Sequence, residues 1–538
     1  MDKRSTANPP PPPSLLGKWP WLIILLVLLL VGFIRYRLVD MPLERDEGEY
    51  AYAGQLLLQG IPPYQLAWNM KLPGTYFAYA FGMGVFGQDC AGIHETLMVV
   101  NALSIICVFV LGRKLFGPVA GLAACATFGI MSVSPAVLGM AAHANHFVIL
   151  FALWATLLLW SGEEFYRWYV YFFSGILYGL AFVMKQQGIC FSLFAVTFVI
   201  GNALVNRAVF STVFFRKVFY LCLGMVLPLV LMYKYLDMTG VLAKCEFWTY
   251  TYAMSYATEV TPRAGLGNFI GYIHNKWPVY FAFFGFILVS LPFILRDKAH
   301  RNKILFAAWF LLFSFLGTAI DLNFREHYFI LLLPALAIFV GLAIVSLQAA
   351  IERRFFKILP ALVCLLILGW VVYFQNAFFF QLPAETVSQI VYWGDTPFAD
   401  MPEVGNYILT NSAPSATVAV IGSEPEIYFY AQRHSATGYM YMYPLMEQQP
   451  FASEMQQEMI SEIQTNKPDY LVFVHNPDSW NIRPLSDRTI FKWFPGYAAT
   501  NYVPSAAVNP LPQDSTAFVT GTNSLTTNTI VAIYSRKQ

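Results

Sequence analysis

Apolar residues run in long blocks along most of this chain rather than alternating with polar ones. A helix needs about 20 mostly apolar residues to cross a bilayer. Eleven blocks approach that length: residues 20–36, 94–112, 118–138, 146–161, 168–184, 187–205, 218–236, 277–295, 304–320, 327–349 and 358–380. The pattern changes after residue 381. Residues 417–421 (Thr-Val-Ala-Val-Ile), 470–474 (Tyr-Leu-Val-Phe-Val) and 529–534 (Thr-Ile-Val-Ala-Ile-Tyr) read as short buried strands, and 451–465 as a helix polar on one side. The fold class expected is a polytopic α-helical membrane protein with a small C-terminal α/β domain outside the membrane. Residues 1–19, with Pro9 to Pro13, read as a disordered leader, 20–380 as the membrane domain and 381–538 as the outer domain.

Composition agrees. Only 12% of residues are charged and 57% are hydrophobic, against roughly 25% charged in soluble domains. An ordinary soluble enzyme and a disordered chain are both excluded. A net charge of +2 gives no polyanion-binding surface, so nucleic acid is not a partner. Of seven cysteines, five (Cys107, Cys125, Cys190, Cys222, Cys364) lie in apolar runs, Cys90 and Cys245 lie in polar loops, and no pair has metal-ligand spacing.

Lysine and arginine in short loops mark the cytoplasmic side. Lys3, Arg4 and Lys18, then Arg113 and Lys114, Arg167, Arg207 with Arg216 and Lys217, Arg296 to Lys303, and Arg353 to Lys357 recur at every second loop. The first block is followed by Arg35-Tyr-Arg37 rather than by a small-residue cleavage site, which argues against a signal peptide. The outer face then receives loop 37–93, loop 237–276 and everything after 381. In the first of these, Ala51 to Gly60 reads as a short helix lying in the interface plane, with Tyr50, Ala53, Leu56 and Leu57 on one side, and 73–86 reads as a second such segment. Asp46 stands where the first helix starts. It reads as an N-cap with Glu49 completing a capping box, and equally as a residue held in place for chemistry. In loop 237–276, Phe247-Trp-Thr-Tyr-Thr-Tyr252 and Tyr256 read as an interfacial aromatic belt or as a substrate wall.

Asp46-Glu-Gly-Glu-Tyr-Ala-Tyr-Ala-Gly, Gly60-Ile-Pro-Pro-Tyr64 and Lys71-Leu-Pro-Gly-Thr-Tyr-Phe resemble the first outer loop of GT-C glycosyltransferases. The nearest group is the bacterial relatives of protein O-mannosyltransferases and of the lipid A aminoarabinose transferase. Gly112-Arg-Lys-Leu-Phe-Gly117, Met184-Lys-Gln186, Asn323-Phe-Arg-Glu-His-Tyr328 and Gly422-Ser-Glu-Pro-Glu-Ile-Tyr428 with Arg433 fit the same group. The resemblance implies transfer of a sugar from a polyprenyl phosphate to an acceptor glycan, lipid or protein at the outer face of a bacterial plasma membrane, with the acid at Asp46 catalytic. Two positions depart from the pattern. Met70 stands where aminoarabinose transferases have an acidic metal ligand, and His143-Ala-Asn145-His146 stands where a second acid is common. No metal ligand is assigned on this basis, and a divalent ion stays open.

Such chemistry needs a base for the acceptor hydroxyl, cations for the leaving phosphate and exclusion of water. Asp46 is the candidate base, with Glu47 beside it as a tuning group or a solvated first-turn acid. Outer-face cations oppose the positive-inside bias, so Lys71, Lys185 and Arg325, with His327, are the candidate phosphate ligands. Each also has a plainer reading: headgroup contact for Lys71, snorkelling for Lys185, a surface pair with Glu326 for Arg325. Tyr64, His143, Asn145 and Tyr256 are candidate substrate contacts. Tyr430, Tyr439 and Tyr441 read as core packing or sugar stacking. A transporter or flippase is the rival reading; it predicts charge in mid-span and paired broken helices. A receptor using the outer domain would leave the Asp46 loop unexplained except as a cap.

Overall fold

The computed structural model describes residues 19–257, 260–392, 396–511 and 515–537; the Pro-rich leader lies outside them. The chain enters through α1 (Trp19–Arg37). Two helices then form within loop 37–93, α2 (Arg45–Leu58) and α3 (Gly74–Phe86). Six more follow: α4 (Cys90–Phe116), α5 (Pro118–Met131), α6 (Ala144–Glu164), α7 (Trp168–Met184), α8 (Ile189–Val205) and α9 (Thr212–Met238). Later helices cover Pro262–Arg296, Arg301–Ala319, Leu333–Ala350 and Leu359–Phe374. Every apolar block of the sequence falls on one of these helices. Among the described residues nine are long and apolar enough to cross a bilayer. The expected eleven is reached only by adding α5 and α7, whose 14 and 17 residues fall short of a full span. This is an integral membrane protein.

Glycines set the helix spacing. A Cβ at Gly121 of α5 would lie 2.7 Å from the carbonyl of Phe109 in α4, and one at Gly179 of α7 would lie 3.0 Å from the Pro228 ring of α9. Small residues let helix backbones approach where lipid supplies no hydrophobic drive for association.

Loop 237–276 is not a loop. Leu242–Glu246 and Ala253–Ala257 are helical turns, with a π-helical turn at Phe247–Tyr252 between them, and the helix Pro262–Arg296 starts well before the expected span. Trp248 and Tyr252 are buried, and Trp248 packs on Trp68 and Tyr439. The interfacial-belt reading therefore fails for these two rings.

The C-terminal part holds a six-stranded sheet of order β2-β1-β3-β6-β4-β5. Its strands are β1 (Thr417–Ile421), β2 (His434–Ser435), β3 (Tyr470–Val474), β4 (Tyr502–Leu511), β5 (Ser515–Thr520) and β6 (Val531–Arg536). β1 runs parallel to β2 and β3, and the other pairings are antiparallel. Three strands match expectation, as does the helix Ala452–Asn466; β2, β4 and β5 were not foreseen.

α2 differs from its expected interfacial placement. All residues from Glu47 to Leu56 are buried. A Cβ at Gly48 would sit 2.5 Å from Cβ of Glu426, so the C-terminal helix Glu426–Ala431 lies directly on α2. Arg37, at the end of α1, donates from Nε to the carbonyl of Phe379 at 2.9 Å and also binds the carbonyls of Phe378 and Leu382. The end of the first span is thereby joined to the segment that leaves the helix Leu359–Phe374. Cys90 and Cys245 are both free thiols.

Candidate functional site

The first turn of α2 organises the site. Glu44 is the N-cap: its side chain accepts from the Glu47 amide at 2.9 Å, and Glu47 accepts from the Glu44 amide at 3.4 Å. The capping box thus sits two residues before the one read from the sequence, which had Asp46 and Glu49. That shift releases Asp46 and Glu49, three apart and on one helix face, for other partners.

Both turn to Lys71. Its Nζ donates to Asp46 Oδ1 at 2.7 Å and Glu49 Oε2 at 2.6 Å, and lies 4.5 Å from the centre of the Tyr50 ring. This replaces the headgroup reading of Lys71. Glu49 also accepts from Asn69 Nδ2 at 2.8 Å and Tyr76 Oη at 2.5 Å. Asp46 Oδ1 accepts a second bond from Tyr441 Oη at 2.9 Å. Among the described residues Oδ2 has no hydrogen-bond partner. Loss of hydration is the largest influence and works to raise the Asp46 carboxyl, but Lys71, with His327, His143 and Lys185 behind it, together hold the group well below the usual carboxylate range. Asp46 is ionised.

Glu47 is fully buried rather than solvated. It binds His94 Nε2 at 3.1 Å and the Ala142 amide at 2.5 Å. It ties α2 to α4 and to the turn before α6, and it does not line the cavity beside Asp46.

That cavity has a volume of about 330 Å³, and Asp46, Lys71, Lys185, Arg325, His327 and Tyr256 line it with Tyr441 and Tyr443. The three cations come from three separate connections: before α3, between α7 and α8, and before the turn Glu326–Leu331. Lys185 does not snorkel. It donates to Asn145 Oδ1 at 3.0 Å and lies 4.4 Å from the Tyr328 ring centre; burial brings its ammonium down to about 8. Glu326 lies 3.9 Å from Lys276, so the Arg325–Glu326 surface pair is not formed.

His143 and Asn145 stand behind this lining. Asn145 also donates to Gln187 Oε1 at 3.0 Å. His143 stacks on His327 with ring centres 4.2 Å apart, and burial pushes His143 down to about 4, so its ring is neutral. Neither ring nitrogen of His143 has a hydrogen-bond partner. Ligand atoms of Asp46, His143 and His327 lie within 4.8 Å of one another. Two neutral imidazoles and a carboxylate suit a zinc-like ion better than magnesium, which prefers oxygen ligands. His146, three residues after His143, is not part of this group. Tyr64 lies outside the cavity; its Oη donates to the Lys71 carbonyl at 2.7 Å and shapes the loop.

A larger open cleft of about 1020 Å³ lies over the C-terminal part, lined by Asp400, His475 and Asp478 among others. Among the described residues that line it, none is lysine or arginine. Sequence reasoning missed Tyr441 and Glu49 as parts of the Asp46 constellation. Spacing could have found Glu49, since it shares a helix face with Asp46. Nothing in the sequence pointed from Asp46 to Tyr441, 395 positions away.

The chain matches the family model described as dolichyl-phosphate-mannose-protein mannosyltransferase over residues 71–233. None of the curated proteins matches it. Among solved structures, ArnT from Cupriavidus metallidurans bound to undecaprenyl phosphate is similar at a TM-score of 0.61 and 14% identity, covering 97% of this chain and 98% of that one. The apo form of that protein gives 0.58 with the same identity and coverage. The archaeal oligosaccharyltransferase AglB from Archaeoglobus fulgidus, in complex with an inhibitory peptide and a dolichol-phosphate, gives 0.52 at 12% identity, covering 96% of this chain and 76% of that one. These likenesses establish the GT-C fold, and with the family match they bear out the resemblance read from the first outer loop.

Proposed function

We propose that this GT-C membrane protein is a glycosyltransferase that moves a sugar from a polyprenyl phosphate to an acceptor hydroxyl at the outer face of a bacterial plasma membrane. The observation that carries the reading is the cavity itself. It sets the ionised Asp46, with Oδ2 free, beside three cations from three connections, with Asp321 and Glu447 as further carboxylates in the lining. A flippase or a receptor has no need of that arrangement. The family match and the undecaprenyl phosphate bound by ArnT support the lipid carrier.

Asp46 Oδ2 takes the proton from the acceptor hydroxyl as its oxygen attacks the anomeric carbon. The bond from that carbon to the phosphate oxygen breaks, and the electron pair leaves with the phosphate. Lys185 and Arg325 neutralise the charge that gathers there. Lys71 is engaged by Asp46 and Glu49, so it keeps the base ionised and adds to the positive field. A phosphate leaves without a general acid, so one carboxylate suffices, and a single displacement inverts the anomeric centre. The Asp46, His143 and His327 group would hold a divalent ion, which when bound would add positive charge beside the phosphate.

Asp46→Asn tests the base. General-base catalysis contributes about 10²–10⁴-fold, and sugar transfer into the lipid, glycan and protein fractions of cells should fall by that order. Membrane insertion and undecaprenyl phosphate binding should persist. Transfer at the wild-type rate would refute the assignment.

A further inference from the structure

The C-terminal domain reaches the base directly. Tyr441 Oη donates to the same Asp46 oxygen that Lys71 holds. Its ring also faces Lys71, with the centre 5.2 Å from Nζ. The terminal torsion of an aspartate is soft. A flexible lysine alone would let the carboxylate swing; a second donor on Oδ1 fixes its plane and keeps Oδ2 toward the cavity.

Tyr441 is itself pinned from both sides. On one side the Trp68 amide donates to the Gly438 carbonyl at 2.7 Å, and Trp68 pairs with Tyr439 in an isolated parallel bridge. The Trp68 and Tyr439 rings meet edge to face at 5.1 Å. A Cβ at Gly438 would overlap the Trp68 ring, so only glycine fits. On the other side the Met442 amide donates to Ser423 Oγ at 2.8 Å. Trp68 stands three residues before Lys71, so one latch carries both donors to Asp46.

We propose that Tyr441 is a positioning residue for Asp46, delivered by a latch in which Gly438 and Tyr439 of the C-terminal domain clasp Trp68 of the first outer loop. The outer domain is then a working part of the site, and the base is set only while that domain is docked. The assignment rests on the reading of Asp46 as the base. The charged or ionisable groups around Asp46 include Lys71, Lys185, Arg325, His143 and His327 from other elements, and Glu44, Glu47, Glu49 and Tyr50 from its own. Tyr441 adds a neutral donor without changing the charge of that set.

The test needs no sugar. Full-length protein in detergent is treated at one fixed pH with a water-soluble carbodiimide and glycine ethyl ester, and labelling at each carboxyl is read by peptide mass spectrometry. A hydrogen bond to a charged group is worth about 1.5–3 kcal/mol, so its loss should speed labelling of Asp46 by about tenfold or more. Tyr441→Phe should show that rise, with labelling of the exposed Asp478 and the unfolding temperature unchanged. Gly438→Ala, which opens the latch, should show the same rise. Replacing Tyr441 by 4-aminophenylalanine, which keeps a donor at the ring's far end, should restore the wild-type rate. Should Gly438→Ala fail to fold, Tyr441→Phe and its rescue decide. Unchanged Asp46 labelling in Tyr441→Phe, or a rise that 4-aminophenylalanine does not reverse, overturns the proposal. Neither outcome bears on whether Asp46→Asn abolishes transfer, so the two ideas fail separately.

Discussion

Lys185 carries the clearest pH signature of any single residue here. Its ammonium titrates at about 8 because burial strips its hydration; Lys71 and Arg325 push it further down, Asp46 and Asp321 offset part of this, and its direct hydrogen bond goes to a neutral amide. It is charged below that pH and neutral above it. Affinity for undecaprenyl phosphate should therefore weaken as pH rises through about 8, measured by native mass spectrometry or equilibrium binding. Lys185→Ala should lose about tenfold or more in affinity and the pH dependence with it. Lys185→Arg should keep affinity and flatten the profile, since guanidinium does not titrate there. Lys185 and Arg325 were legible in the sequence because cations at outer span ends oppose the positive-inside bias. Tyr441 was not, because burial and a remote hydroxyl donor leave no periodic trace. Glu47 was misread for a related reason: an acid in a first helical turn usually faces water, and only the packing around it shows that His94 and Ala142 claim it.

At the scale of elements, the apolar blocks were legible because lipid demands unbroken stretches, and helix ends followed from the glycines and prolines. α2 was misplaced because its one-sided pattern fits an interface as well as a protein-covered groove. The strands that escaped notice have physical reasons too. β2 has two residues, β4 contains Pro504 and Pro510, and β5 is a polar edge strand, Ser515 to Thr520. None shows the bulky apolar run that marked β1 and β3. The α2 contact with the Glu426 helix makes its own prediction. Gly48→Ala places a methyl group against the Glu426 backbone, 2.6 Å from its nitrogen. Overpacking costs about 1–3 kcal/mol, so the unfolding temperature should fall while helix content is retained. An unchanged melting curve would mean the two helices are not held so close.

For the whole molecule, sidedness was the step that turned scattered charges into a site. Loop charges placed Asp46, Lys71, Lys185 and Arg325 on one side, and all four meet in one cavity. Exposed positions at the two ends give the check. With native cysteines replaced, a cysteine at Asp478 should react with a membrane-impermeant maleimide in intact cells whose outer barrier is opened. One at Arg354 should react only after the plasma membrane is permeabilised. The reverse pattern would invert the topology and place the cavity in the cytoplasm.

Arg37 has a mechanical consequence. Its bonds to Phe378, Phe379 and Leu382 splice the end of the first span to the segment that leaves the helix Leu359–Phe374. Tension applied through the C-terminal tail is then shared by two helices. Pulled from that tail in a force microscope, the wild-type chain should resist its first rupture more strongly than Arg37→Ala, whose last span would peel away alone.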